Sequence, residues 1–189
     1  MTLTVQPAIR ESLRRVAVVG ATGSGKTRLA QTLAHRLALP HVEFDALFWE
    51  AGWRPADREV FRARVQAALT APGWVTDGNY RQVRDLVWPQ ATALIWLDYP
   101  LPLVLWRLAG RTARRLMTRE ELWNGNRERL SEHLLSRDSL FLWALQSHPR
   151  QRREYPVELA RPEYAHLAVV RLRRPRETEK WLSEVAGNK

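Results

Sequence analysis

Eight consecutive residues, Gly20-Ala21-Thr22-Gly23-Ser24-Gly25-Lys26-Thr27, set glycines, a lysine and a hydroxyl at the spacing G-x-x-x-x-G-K-[ST]. Backbone N–H groups can wrap a polyphosphate only where side chains are small and φ is unrestricted, and the glycines meet that need. A helix starting at the end of such a loop adds the positive end of its dipole. Lys26 is then a point charge for β- and γ-phosphates, and the Thr27 hydroxyl is a hard oxygen ligand for Mg²⁺. Lysine occurs only at 26, 180 and 189, so 27 of the 30 basic residues are arginine. The chain thus has a compact ammonium where it suits phosphate better than a planar guanidinium.

The flanking residues have the periodicity such a loop requires. Residues 16–19 are an apolar run fit for a buried strand, and Leu29, Leu33 and Leu37 form a helical stripe after it. Residues 41–45 read as a second strand that ends on Asp45, and an aromatic loop with Trp49, Gly52, Trp53 and Pro55 follows. A helix is expected from Ala56-Asp57, with Val60, Phe61, Val65, Ala68 and Leu69 on its inner face. Residues 74–77 form a third strand closing on Asp77, with a short helix to Trp88, and residues 91–97 a fourth strand followed by Asp98. From Leu101 the chain turns helical and arginine-rich. Leu101, Val104, Leu105 and Leu108 mark one face, while Arg107, Arg111, Arg114 and Arg115 share another. Trp123-Asn124-Gly125-Asn126 is a turn signal, and an amphipathic helix is expected over 131–145. A polar, basic stretch with a helical piece follows to Arg161, then a fifth strand over 166–172 and a closing helix over 176–185. Strands alternating with helices predict an α/β three-layer sandwich, a five-stranded parallel sheet covered on both faces. Trp96 and Trp106 lie in apolar runs and are expected in the core. Trp49 and Trp53 either pack their loop onto the sheet or stack on a ligand ring.

At 189 residues and 45% hydrophobic content the chain fits one globular domain, 1–189, with a helical insertion near 102–153. Without cysteine it can form neither disulfides nor thiolate metal sites. No stretch has the form of a signal peptide or a membrane span, so the expected setting is cytoplasmic and no membrane partner is expected. The net charge of +10 asks for an anionic partner. The excess lies mainly in the second half, where residues 101–189 carry 18 basic and 11 acidic groups. No histidine has a partner at zinc-ligand spacing.

In an open parallel sheet, ligands sit beyond the carboxyl ends of the strands, where the glycine loop, Asp45, Asp77 and Asp98 all fall. Asp77-Gly78-Asn79-Tyr80-Arg81 resembles the D-G-F-P-R segment of adenylate kinases, with Asn79-Tyr80 standing for Phe-Pro. Arg107-Leu108-Ala109-Gly110-Arg111 is similar to the R-x-x-G-R that opens their mobile lid, and Arg137-Asp138 is a partial match to a later lid pair. Over about residues 15–182 the chain resembles the adenylate-kinase-like P-loop family often labelled DNA topology modulation protein. The shared features are the glycine loop, Phe44-Asp45-Ala46-Leu47-Phe48-Trp49 with Gly52-Trp53, Trp74-Val75-Thr76-Asp77-Gly78-Asn79-Tyr80, and the arginine-rich helix.

The resemblance implies an ATP- and Mg²⁺-dependent kinase with an arginine-rich helical lid. It implies Lys26, Asp77, Arg107 and Arg111 as catalytic residues, and Thr27 with Asp77, the latter through water, as Mg²⁺ ligands. Asp45 and Arg81 are implied as acceptor-binding residues, Asp45 by similarity to small-molecule kinases such as shikimate kinase. Taken as residues alone, Asp45 equally suits a helix N-cap, and Asp77 a turn aspartate. The absence of an N-K-x-D segment favours ATP over GTP. A nucleic-acid-associated ATPase is the alternative, motivated by the charge; no nucleic-acid-binding motif accompanies it.

Overall fold

The run Arg15–Gly20 is uniformly apolar from Val16 to Val19, and in the computed structural model it is β1, the middle strand of the sheet. The structure describes residues 12–118, 120–126 and 140–186. After the glycine loop come α1 (Lys26–Leu37), β2 (His41–Glu43), α2 (Phe44–Phe48), β3 (Trp49–Glu50), β4 (Arg54–Pro55) and α3 (Arg58–Ala68). These lead to β5 (Trp74–Asp77), a 3₁₀ turn (Arg81–Val83), α4 (Arg84–Val87), β6 (Ala93–Leu97) and α5 (Leu101–Thr118). A 3₁₀ turn (Trp123–Gly125), α6 (Leu140–Leu159), a third 3₁₀ turn (Pro162–Tyr164), β7 (Ala168–Leu172) and α7 (Pro175–Ala186) complete the described chain.

Five parallel strands run in the order β2-β5-β1-β6-β7, and β3 and β4 form a separate antiparallel pair. Successive strand side chains point to opposite faces, so each face builds its own core. Val16, Val18, Val75, Ile95 and Leu97 join Leu29 and Leu33 of α1, Val104 of α5 and Trp181 of α7. Ala17, Val19, Trp74, Leu94 and Trp96 join Phe61 and Val65 of α3 and Tyr155 of α6. The result is the expected three-layer sandwich, with Trp96 in the core.

Several expectations are corrected. The second strand ends at Glu43, and Asp45 lies in the first turn of a helix instead of at a strand end. Glu43 occupies the N-cap position there and makes no side-chain cap bond. The helix forms because Phe44 and Phe48 both turn onto Phe61 of α3, at ring distances of 6.5 and 5.2 Å. Phe61 and Val65 of α3 and Leu69 at its C-cap are buried, each one helical step of four from the next, whereas Val60 points a quarter-turn away and is 43% exposed. Likewise α5 buries Val104, Leu108 and Thr112, which puts Trp106 on the outer side at 74% exposure. Residues 146–159 continue one 20-residue helix through Pro149 and Pro156. Tertiary contacts hold it: His148 Nε2 bonds the Tyr99 carbonyl at 2.8 Å, and Tyr155 packs edge-on against Trp88 and Trp96. The helix expected from residue 131 lies outside the described residues until Leu140, as do Arg137 and Asp138.

Candidate active site

The phosphate loop leaves the centre of the sheet and seats its glycines against neighbouring backbone. Gly20 (φ +149°) has no room for a Cβ, which would lie 2.7 Å from the Leu97 carbonyl. At Gly23 (φ +82°) a Cβ would lie 2.8 Å from the Val104 carbonyl, so the loop rests directly on α5. Helix α1 begins with no acid in its first turn and no side-chain cap, leaving its first N–H groups for an anion. Lys26 Nζ bonds back to the Ala21 carbonyl at 3.3 Å, inside the loop that it would serve. Burial lowers the pKa of its ammonium, as does the nearby Arg111 guanidinium to a smaller degree, while Asp45, Asp77 and Glu43 oppose the shift.

Because β1 lies between β5 and β6, and Val18 is in register with Asp77, the acid at the end of β5 meets the start of α1. Thr27 Oγ1 donates to Asp77 Oδ2 at 2.6 Å, and His41 Nε2 stands 2.8 Å from Asp77 Oδ1. A hydroxyl and a buried carboxylate in contact at the foot of a phosphate loop are hard oxygen donors of the kind that Mg²⁺ takes, one or two from the protein and the rest from phosphates and water. The residues therefore fit that ion.

Asp45, the second residue of α2, accepts a hydrogen bond from the Tyr80 hydroxyl at 2.5 Å. Its carboxyl is pushed above the usual range by burial and by Asp77, against the Tyr80 bond, Lys26 and Arg111. Burial likewise raises the Tyr80 phenol, and Asp45 adds to the effect, so Tyr80 is a fixed donor. Glu43 is raised by burial and by Asp77 and Asp45, against the nearby Trp123 side chain and His41. Asn79 locks this edge to the loop, with Gly20 N–H donating to Oδ1 at 3.1 Å and Nδ2 donating to the Gly20 carbonyl.

Of the arginines, Arg107 reaches the loop, donating from Nη1 to the Ser24 carbonyl at 3.2 Å with its guanidinium 5.1 Å over the Tyr99 ring. Arg111 acts electrostatically on both Lys26 and Asp45. Arg81 turns elsewhere: it is 63% exposed and pairs with Glu154 of α6 at 3.6 Å. Asp98 also differs from the converging set, being buried between Arg152 (2.5 Å) and Arg171 (2.7 Å) as an ion-paired tie among β6, α6 and β7. From sequence, Asn79 and Tyr80 stand in a motif with no role of their own, and His41 and Glu43 read only as strand. The two-residue spacing of His41 and Glu43 was the available signal, since it sets both on one side of β2.

No family model and no curated protein matches the chain. Solved structures do. A gluconokinase from Sinorhizobium meliloti 1021 superposes with a TM-score of 0.51 at 19% identity, over 93% of this chain and 94% of that one. Shikimate kinase from Acinetobacter baumannii, in complex with shikimate, gives 0.52 at 19% identity over 97% and 99%. Shikimate kinase from Bacteroides thetaiotaomicron gives 0.51 at 15% identity over 91% and 96%. At these identities the likeness establishes the fold alone, an α/β fold shared with these kinases.

Proposed function

We propose that the chain is an ATP-dependent, Mg²⁺-requiring phosphotransferase that acts on a small molecule, a single domain in which the arginine-rich segment 102–153 covers the phosphates. One observation carries this reading: Lys26, the Thr27–Asp77 pair and Asp45 belong to one electrostatically coupled group at the foot of the phosphate loop. Asp45 beside the phosphate lysine is a group able to accept the proton of an acceptor hydroxyl.

The loop N–H groups and Lys26 would hold the β- and γ-phosphates, and Arg107 and Arg111 would neutralise charge as it develops on the transferred group. Thr27, with Asp77 through water, would hold Mg²⁺, which would supply positive charge to neutralise the phosphates there. The acceptor hydroxyl oxygen forms a bond to the γ-phosphorus as the bond from that phosphorus to the β–γ bridging oxygen breaks, releasing ADP. Asp45 takes the hydroxyl proton; Tyr80 occupies Oδ1, which orients the carboxylate, and burial strengthens it as a base. The gluconokinase and shikimate kinases of the same fold support transfer to a hydroxyl.

The test is ATP consumption with Mg²⁺ across nucleosides, nucleoside monophosphates, sugars, hydroxy acids and duplex DNA. Lys26→Ala should lower acceptor-dependent ADP release by at least about 10²-fold, as loss of a phosphate-stabilising charge does. Release that responds only to duplex DNA would instead favour a nucleic-acid-associated ATPase.

A further inference from the structure

The parallel ladder between β1 and β5 ends at Val18 and Asp77, and the same register carried two residues further would set Gly20 opposite Asn79. The backbone does not continue it: β5 ends at Asp77, and the chain turns at Gly78 (φ +141°), where a Cβ would lie 2.9 Å from Phe44 Cβ of α2. The Asn79 side chain completes the rung instead. Gly20 N–H donates to Asn79 Oδ1 at 3.1 Å, and Asn79 Nδ2 donates to the Gly20 carbonyl. A carboxamide carries the same donor and acceptor as a peptide group, so it can replace one in a ladder. The Tyr155 hydroxyl of α6 stands behind the amide, 3.5 Å from Oδ1.

These two bonds hold both peptide planes that flank Gly20, one through its N–H and the other through its carbonyl. Glycine resists rotation of such planes less than any other residue. The second plane leads into Ala21, whose carbonyl accepts from Ser24 N–H at 3.1 Å and from Lys26 Nζ at 3.3 Å. An orientation set at Gly20 is thereby passed on to the phosphate lysine. The same short segment makes bonds on either side of Asn79, Asp77 with Thr27 Oγ1 at 2.6 Å and Tyr80 with Asp45 at 2.5 Å. Residues 77–80 thus join the entry of the loop, the start of α1 and the acid of α2.

We infer that Asn79 is a positioning residue that presets the phosphate loop for its nucleotide, by standing in for the missing rung between β5 and β1. The inference deepens the kinase reading above and rests on it. With its oxygen and its nitrogen both on Gly20, Asn79 acts through the loop and not by touching the ligand. A loop whose entry is already fixed loses less freedom when a polyphosphate arrives, so affinity rises without a new contact.

The experiment is calorimetric titration of ADP with Mg²⁺ into the parent chain and into two variants that each remove side-chain bonds from one end of β1. Asn79→Ala does so at the loop. Thr92→Val does so at the start, where Thr92 Oγ1 accepts from Arg15 N–H at 2.9 Å and lies 3.1 Å from the Arg15 carbonyl. Both variants should melt below the parent. Asn79→Ala should weaken ADP by at least about fivefold, as loss of two neutral hydrogen bonds does. Thr92→Val, remote from the loop, should stay within about twofold of the parent. Asn79→Asp keeps the shape of the side chain and serves where Asn79→Ala does not fold. It retains an acceptor for Gly20 N–H, turns an oxygen toward the Gly20 carbonyl, and should weaken ADP at least as much. Parent-like ADP affinity in a folded Asn79 variant, or an equal loss in Thr92→Val, would overturn the inference and leave Asn79 a bond of the fold alone. No binding of ADP by the parent would instead sink the kinase reading, and the inference with it.

Discussion

Asp45 and Lys26 show how burial tunes opposite charges together. Desolvation disfavours the charged form of each, and their mutual attraction restores part of what it costs. The Asp45 carboxyl consequently holds its proton more tightly in the folded chain than at the ordinary value of 3.8. Stability must then fall as pH rises from 3.8 through the raised folded value, and the loss is complete above it. Asp45→Asn removes this penalty while leaving an oxygen for Tyr80. Its melting temperature should exceed that of the parent at pH 7, with the gap closing as pH drops toward 3.8; equal values at pH 7 would contradict the burial. The same variant should lose about 10²–10⁴-fold in kcat, the usual contribution of a general base. Lys26 and Thr27 were legible as residues because a contiguous motif specifies them. Arg81 was not, because spacing along the chain says where an arginine starts and not which acid its long side chain reaches.

The loop and α5 act as one unit. Gly23→Ala places a Cβ 2.8 Å from the Val104 carbonyl and 3.0 Å from Leu108 Cβ, on a backbone at φ +82°. Neither contact is with the end of a flexible side chain, so the loop or the helix must shift. A loss of about 1–3 kcal/mol in stability is expected, together with weaker nucleotide binding, since the arginine helix moves with the loop. Chemical denaturation and nucleotide titration would check the two effects, and unchanged nucleotide affinity would show that loop and helix are not mechanically joined. The periodicity of α3 and α5 was plain in the sequence, yet Val60 and Trp106 were assigned inward and point outward. A stripe of period 3.6 can be drawn through neighbouring sets of apolar residues, and packing against a particular sheet face chooses between them.

Across the molecule, part of the arginine content is tied into structure. Asp98, 2% exposed, holds Arg152 and Arg171 and so joins β6 to α6 and β7, with Arg171 also stacked 4.2 Å over Trp96. Asp98→Ala leaves both guanidinium groups without this partner. Removing one member of a buried pair costs about 3–5 kcal/mol. Arg152 and Arg171 are 42% and 34% exposed, so solvent screening brings the expected loss to about 2–3 kcal/mol. Thermal unfolding should show a drop of about 5–10 °C. A drop under 2 °C would mean that the arginines find other partners or water at no penalty. No helix among the described residues is long and apolar enough to cross a membrane.

The phosphate loop, the strand-then-helix order and the layered α/β architecture could all be read from the chain, because each depends on residues a few positions apart: a glycine's φ, an alternation of period two, a stripe of period 3.6. Asp77 beside Thr27 followed from that order, since parallel strands bring their carboxyl ends to one edge. Folding in three dimensions was needed to turn Asp45 into a helix against Tyr80, to pair Asp98 with two arginines and to tie Trp53 to Asn126. Those contacts join residues 35 to 73 positions apart. Strand register, helix rotation and the reach of long side chains set them together, and no local pattern encodes that combination.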